Sequence, residues 1–135
     1  MLDFIKDSSH NVTSSSSWGN YKNSDTYKVY RGSLYRYSNS TWTVADTTNG
    51  SDVTKDTSIL LTTGATERNS SKNIYDVAGN CWELTTEANI TYYRVVRGGG
   101  YDLSGSYSPA SDRYYNRPTS SYDGGSFRPL LYVAL

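Results

Sequence analysis

Cysteine is nearly missing from this chain: Cys81 is the only one in 135 residues. An intrachain disulfide and a cysteine-based zinc cluster are therefore excluded. Histidine is as scarce, with His10 alone. An excess of one charge is also lacking, since 13 Lys and Arg balance 13 Asp and Glu. That balance argues against nucleic acid, because binding it leans on a basic surface. No apolar run is long enough to span a membrane as a helix. The opening "MLDFIKDSS" has no basic stretch followed by an apolar one, so no secretory signal is expected. Such a protein stays inside, leaves by another route, or is a piece of something longer.

Aliphatic residues are thin as well. Only 36% of the chain is hydrophobic, and tyrosine supplies 14 residues. The apolar signal is thus carried largely by amphipathic rings. One domain is expected over residues 1–135, with a modest core. The sequons at Asn11, Asn39, Asn49, Asn69 and Asn89 are what a chain rich in Asn, Ser and Thr produces by chance. They matter only where the source glycosylates.

Along the chain, residues 1–6 look like the last turns of an amphipathic helix running into the polar loop "DSSHNVTSSSSWGN". A helix opening without a cap suggests a cut from a longer parent. "TYKVYRGSLYRYSNSTWTV" partly alternates and breaks at Gly32 and "SNS", which predicts two short strands, one hairpin-like. Residues 45–57 read as a long polar loop with an Asn-Gly turn signal. Residues 58–64 read as a brief buried strand and 65–73 as loop. "CWELTTE" and "YYRVVRGG" are the strongest strand candidates, and "SFRPLLYVAL" closes the chain as an apolar strand.

Residues 101–126 show little strand or helix pattern. Nineteen of these 26 are Tyr, Ser, Gly, Asp or Asn, the composition of antibody binding loops. Tyr brings contact area with two torsions to freeze, and the small polar residues adapt their hydrogen bonding. A buried strand would interleave aliphatics, and a disordered tail would avoid Tyr. "DRYYNRPTSSYDGG" therefore reads as an ordered loop surface presenting rings to a ligand. The opposing reading is a loop that merely covers the sheet.

Three separated motifs carry a resemblance. "NIYDVAGNCWELTTE" resembles the N-(I/L)-x-D-x-x-G-N-V-W-E-W segment of the formylglycine-generating-enzyme/sulfatase-modifying-factor superfamily. "YRVVRGGGY" and "GSFRP" resemble that superfamily's later segments, in the same order and spacing. The implied fold class is α+β, a C-type lectin-like fold: a small twisted antiparallel sheet with long irregular loops and little helix. Within it the chain looks most like phage and prophage proteins, including variable proteins of diversity-generating retroelements. Those elements diversify ligand-facing Tyr, Ser, Asp, Gly and Asn positions near the C-terminus. Departures are Ser126 before Phe127-Arg128, Leu84 in place of a second Trp, and missing strand residues before the first helix. Because first and last strands pair in that fold, residues 126–135 are expected to lack a partner and to invite a second chain.

The resemblance implies several sites and removes another. The enzymes use a cysteine pair after the RGG segment, and no cysteine follows Arg97 here. Cys81 is expected to be a buried small thiol. The enzymes hold calcium in the matching segment, which transfers to the Asp76 side chain, the Gly79 and Cys81 carbonyls and the Glu83 side chain. The alternative is that Asp76 caps a turn and Glu83 pairs with an arginine. Trp82, Val95 and Val96 are expected in or beside the core, with Arg97 and Arg128 bracing loops.

The expectation is a binding domain of a phage, prophage or bacterial surface, without catalysis and with no cofactor required. Its contact residues would be Tyr101, Asp102, Ser104, Ser106, Tyr107, Ser111, Asp112, Tyr114, Tyr115, Asn116, Ser121, Tyr122 and Asp123. The ligand would be a protein or glycan of a host or target cell surface. The alternatives are a fixed decoration module of a virion or tail, and a degenerate enzyme of the superfamily.

Overall fold

The structure is a computed structural model and describes residues 2–46 and 51–129. About 36% of these residues are strand and 6% helix, far below the usual third for helix. The helical part of the expected α+β class shrinks to one turn, α1 (Leu2–Ile5), and a 3-10 turn over Glu67–Asn69. Ile5 is the residue that α1 buries, and Leu2 packs beside it.

The strands are short. They are β1 (Tyr27–Val29), β2 (Leu34–Ser38), β3 (Thr41–Asp46), β4 (Ser51–Val53), β5 (Leu60–Leu61), β6 (Ser70–Ser71), β7 (Ile74–Tyr75), β8 (Trp82–Ile90), β9 (Tyr93–Arg97), β10 (Arg113–Asn116) and β11 (Gly125–Phe127). They form four sheets, with orders β1-β4, β3-β2-β5, β6-β7 and β10-β9-β8-β11. The "SNS" break becomes the two-residue turn of the β2–β3 hairpin. Asn39 and Ser40 both take positive φ, 50° and 59°, as a turn matched to the strand twist requires.

Four expectations need correction. Residues 45–57 are not loop throughout, because β4 pairs β1 with Val53 opposite Tyr27. A three-residue alternation is too short to read as a strand, but burying Val53 makes it one. Residues 65–73 likewise hold the 3-10 turn and β6. Residues 101–126 contain β10, whose Tyr114 and Tyr115 lie opposite Val96 and Val95. Finally, the main sheet is not wholly antiparallel: β11 runs parallel to β8, with Gly125 opposite Trp82. The stretch Gly125–Phe127 thus has a partner within the chain. The Asn-Gly signal at 49–50 and residues 130–135 of the terminal strand lie outside the described residues.

Two apolar clusters form the core. One gathers Ile5, Val12, Trp18, Tyr21, Val77, Ala78 and Ala110. The other gathers Tyr27, Val29, Leu34, Val53, Ile59, Leu61 and Ala65. Each fully buried aliphatic there stabilises the fold by about 1.5–3 kcal/mol.

A polar hub lies between the elements that carry these clusters. Asn20 Nδ2 donates to Ile59 O at 2.8 Å and to Asn80 Oδ1 at 3.0 Å. Asn80 acts as a strand partner for Leu61, accepting from its N–H at 2.9 Å and donating to its C=O at 3.0 Å. Tyr27 Oη donates to Asn20 Oδ1 at 2.8 Å. Every bond here satisfies a group that would otherwise be desolvated without a partner. Gly79 makes the approach possible. Its φ is 71°, and a Cβ there would stand 2.0 Å from the Asn20 carbonyl oxygen.

Candidate functional site

Side chains alternate across a strand, and registered neighbours share a face. Trp82 and Leu84 of β8, Val96 of β9, Tyr114 of β10 and Phe127 of β11 therefore lie on one side of the main sheet. Val95 turns to the other side and is completely buried. The first side is the floor of a cleft of about 600 Å³. Trp82 and Val96 form its base, Tyr107, Tyr114 and Tyr122 rise around it, and Tyr115, opposite Val95 on the edge strand β10, completes its lining at the border of the sheet. A smaller hollow of about 180 Å³ continues past Tyr122 over Leu84 and Phe127.

The rings support one another. Tyr114 and Tyr115 stack with centroids 4.9 Å apart, and Trp82 tilts against Tyr114 at 6.1 Å. Tyr93 meets Tyr115 edge-on at 5.3 Å, and Arg117 lies over Tyr93 at 5.2 Å. Such ring pairs prefer offset and edge-to-face arrangements. They leave much ring surface open: Tyr107 is 85% exposed, Tyr114 58%, Tyr115 46% and Tyr122 42%.

The loop that carries the rings is tied down by the Ser-rich N-terminal segment. Ser15 N–H donates to Gly105 O at 2.8 Å, and Gly105 N–H donates to Asn23 Oδ1 at 2.8 Å. Ser15 Oγ accepts from Ala110 N–H at 3.0 Å. Lys22 N–H donates to Leu103 O, and Ser111 N–H to Val12 O, both at 2.9 Å. The "RGGG" end is pinned through Gly98 O, which accepts from Gly79 N–H and from Tyr21 Oη, each at 2.7 Å. At the other end Arg128 donates to Tyr75 O at 2.8 Å and pairs with Glu83.

Of the expected contact residues, Tyr107, Asp112, Tyr114, Tyr115, Asn116 and Tyr122 come together at the cleft. Asp102, Ser106, Ser121 and Asp123 are exposed, while Ser104 and Ser111 are half-buried. Ser104 and Ser106 spend their hydroxyls on each other at 2.8 Å. Tyr101 departs from the expectation. It is 7% exposed and packs on Trp42 at 5.8 Å, so its ring is part of the interior. Burial, then the nearby Asp102 and Asp123 carboxylates, push its phenol up to about 12. Burial followed by the same two carboxylates raises the Tyr122 phenol. Both rings therefore keep their proton at neutral pH.

Three of the four residues implied for calcium, Asp76, Cys81 and Glu83, line a second cavity of about 490 Å³ together with Arg128, and Gly79 does not. Arg128 holds both Glu83 carboxylate oxygens, Nε at 3.1 Å from one of them. Asp76, in a left-handed conformation with φ 56°, accepts from Gly64 N–H at 3.1 Å. The contacts are those of a turn cap and an arginine pair. A calcium ion would meet a guanidinium already standing against Glu83. Among the described residues no group of three or more His, Cys, Asp or Glu is placed to hold a metal. Burial raises the Asp76 carboxyl, and it raises the Cys81 thiol to about 11 with Asp76 and Glu83 adding to the shift. A thiol held protonated in acidic surroundings is a poor nucleophile.

Sequence reasoning passed over Asn20, Tyr21, Ser15 and Arg68. Arg68 donates to Gly19 O at 2.7 Å and Ser16 O at 2.8 Å, with its guanidinium 4.4 Å from the Tyr27 ring. The signal available was local: "SWGNY" places two aromatics around Gly and Asn inside a Ser-rich run, which is more than a solvated loop needs.

Comparison of the chain with known proteins gives no match to a family model, a curated sequence or a solved structure. No helix among the described residues is long and apolar enough to cross a membrane.

Proposed function

We propose that this chain is a binding domain of C-type lectin-like organisation whose ligand surface is the tyrosine-walled cleft. One observation carries the reading: four tyrosines 42–85% exposed converge on one cleft, on a segment whose backbone is held by the β9–β10 pairing and by direct hydrogen bonds on either side of it. Rings left open on a fixed backbone lose little entropy on binding. The low reactivity expected of the Cys81 thiol supports binding rather than chemistry. Calcium has no part in this reading, because Arg128 already neutralises Glu83. A melting temperature unchanged by chelator is the expected outcome, and a clear drop would restore the ion.

The ligand is a protein or glycan of a host or target cell surface, and the domain acts at a virion or bacterial surface. Capture from surface extracts tests this with the wild type, Tyr114→Ala and Tyr122→Ala. The wild type should retain a specific ligand, and each variant should lose on the order of 2 kcal/mol wherever its ring is a hot spot. Equal capture by all three would remove the cleft from the reading. Diversification is tested in DNA. A nearby repeat differing from codons 101–126 only where it carries adenine is expected, together with a reverse transcriptase.

The decoration-module alternative has one observation in its favour. Strand β11 is at an edge of the main sheet, and its Phe127 is 76% exposed. An edge of that kind can pair with a second copy. A monomer in solution at all accessible concentrations would count against it.

A further inference from the structure

The cleft is unevenly charged although the chain is neutral overall. Asp112 is the one charged residue that lines it, and no Lys or Arg does. Asp112 Oδ1 accepts from Arg113 N–H at 2.8 Å, and Asp112 forms no ion pair with another described residue. Arg113 itself is drawn to Glu87, together with Arg97. Two more carboxylates, Asp102 and Asp123, are exposed, form no ion pair among the described residues, and act on the Tyr122 phenol. The cleft thus combines open aromatic faces with one lining carboxylate that forms no ion pair among the described residues, and Asp102 and Asp123 act on the cleft from the Tyr122 side.

That combination selects its occupant. Ring faces carry partial negative charge and attract a cation placed over them. A carboxylate at the rim adds a counter-charge, and an anionic ligand would be repelled by all of these groups. Guanidinium fits better than ammonium, being planar, weakly hydrated and able to stack while it donates. We propose that the cleft takes an arginine side chain of a partner protein, seated against the tyrosine rings with Asp112 as its counter-charge. This rests on the binding reading of the same cleft and names the chemistry it recognises.

The test uses N-acetyl-arginine methylamide as probe, followed by two-dimensional NMR of the whole chain. N-acetyl-citrulline methylamide, which swaps guanidinium for a neutral urea, and a set of neutral methyl glycosides run in parallel. The arginine probe should shift the Trp82 indole and the amides of Tyr114 and Asn116 with a Kd of about 1 mM, the strength a fragment of this size reaches. Citrulline should bind about tenfold more weakly. Asp112→Asn, which keeps the oxygen that Arg113 N–H needs, should lose about fivefold for arginine and nothing for citrulline, and Asp102→Asn a smaller amount. Added salt should weaken arginine binding alone. Equal binding of arginine and citrulline, an unaffected Asp112→Asn, or tighter binding of a glycoside at the same resonances overturns the arginine proposal and leaves the binding reading standing. No shift at Trp82 with any probe also overturns it. The binding reading falls separately, if a captured ligand is indifferent to Tyr114→Ala and Tyr122→Ala.

Discussion

Two segments of this chain share one trait and meet opposite fates. Residues 11–24, "NVTSSSSWGNYKNS", and residues 112–125, "DRYYNRPTSSYDGG", both set aromatics among polar residues and contain almost no aliphatic residue. In the first, Ser15, Trp18, Asn20, Tyr21 and Ser24 are all buried. In the second, Tyr114, Tyr115 and Tyr122 are exposed. The difference is what each polar atom meets. Tyr21 Oη reaches Gly98 O, Trp18 Nε1 reaches Asn11 O at 3.0 Å, and the Asn20 side chain reaches Ile59 and Asn80. In the second segment Asp112 and Asn116 accept from the N–H of the next residue, and the distant partner that Arg113 reaches, Glu87, is itself exposed. An aromatic stretch set among polar residues is therefore scaffold where its polar atoms find buried partners and surface where they do not.

The largest expected effect sharpens the scaffold side. Gly79→Ala places a Cβ against the Asn20 backbone at a positive φ. Neither backbone can yield without breaking the hub, so a loss of more than about 4 kcal/mol or failure to fold is expected. A melting curve near that of the wild type would show that the hub is not the keystone of the scaffold. Next, Tyr21→Phe removes one bond to Gly98 O while the carbonyl keeps its Gly79 donor. Denaturant titration should register about 1–2 kcal/mol. No loss would make Tyr21 an apolar filler only.

Asp76 gives a pH-dependent effect. Burial raises its carboxyl above the ordinary value, so the folded chain holds this proton more tightly than the unfolded one. The stability it contributes is complete below the unfolded pKa of about 3.9 and is lost as pH rises through the folded value. Asp76→Asn should therefore melt progressively higher relative to the wild type on going from about pH 3 to pH 7. A difference that stays constant with pH would mean that Asp76 ionises as freely as in water.

The smallest expected effect tests the surface side. Tyr107→Ala removes a ring that is 85% exposed and should change stability by less than about 0.5 kcal/mol. Trp82→Ala, beneath the same cleft and 5% exposed, should cost about 3–5 kcal/mol. If the two variants melt alike, the comparison between the segments fails and the rings belong to the core.

Local rules made part of this legible. Alternation and β-branching identified β8 and β9, because Val95 and Val96 beside Tyr and Trp leave few other options. The "SNS" break and the Trp82, Val95 and Val96 core followed from the same local rules, and the pairing of Glu83 with an arginine was the alternative to the calcium site that the resemblance implies. The candidate cleft was legible as a composition, since Tyr with small polar residues suits contact surfaces. Strand β4 was not legible, because three residues give too little periodicity and Tyr27 lies more than twenty residues away. The burial of Tyr101 was not legible either, because it depends on Trp42 from another sheet.

By itself the sequence determined a sheet-rich chain with little helix, few aliphatics, no disulfide and an aromatic surface in search of a place. Those properties follow from residue type and short-range spacing, which act through local sterics and hydrophobic periodicity. Only the tertiary structure decided which of the two segments became scaffold and which became surface. That choice depends on hydrogen-bond partners far away in the chain, such as Tyr21 with Gly98 and Ser15 with Ala110. A buried polar atom is tolerated only where its partner is delivered, and delivery is a property of the whole fold.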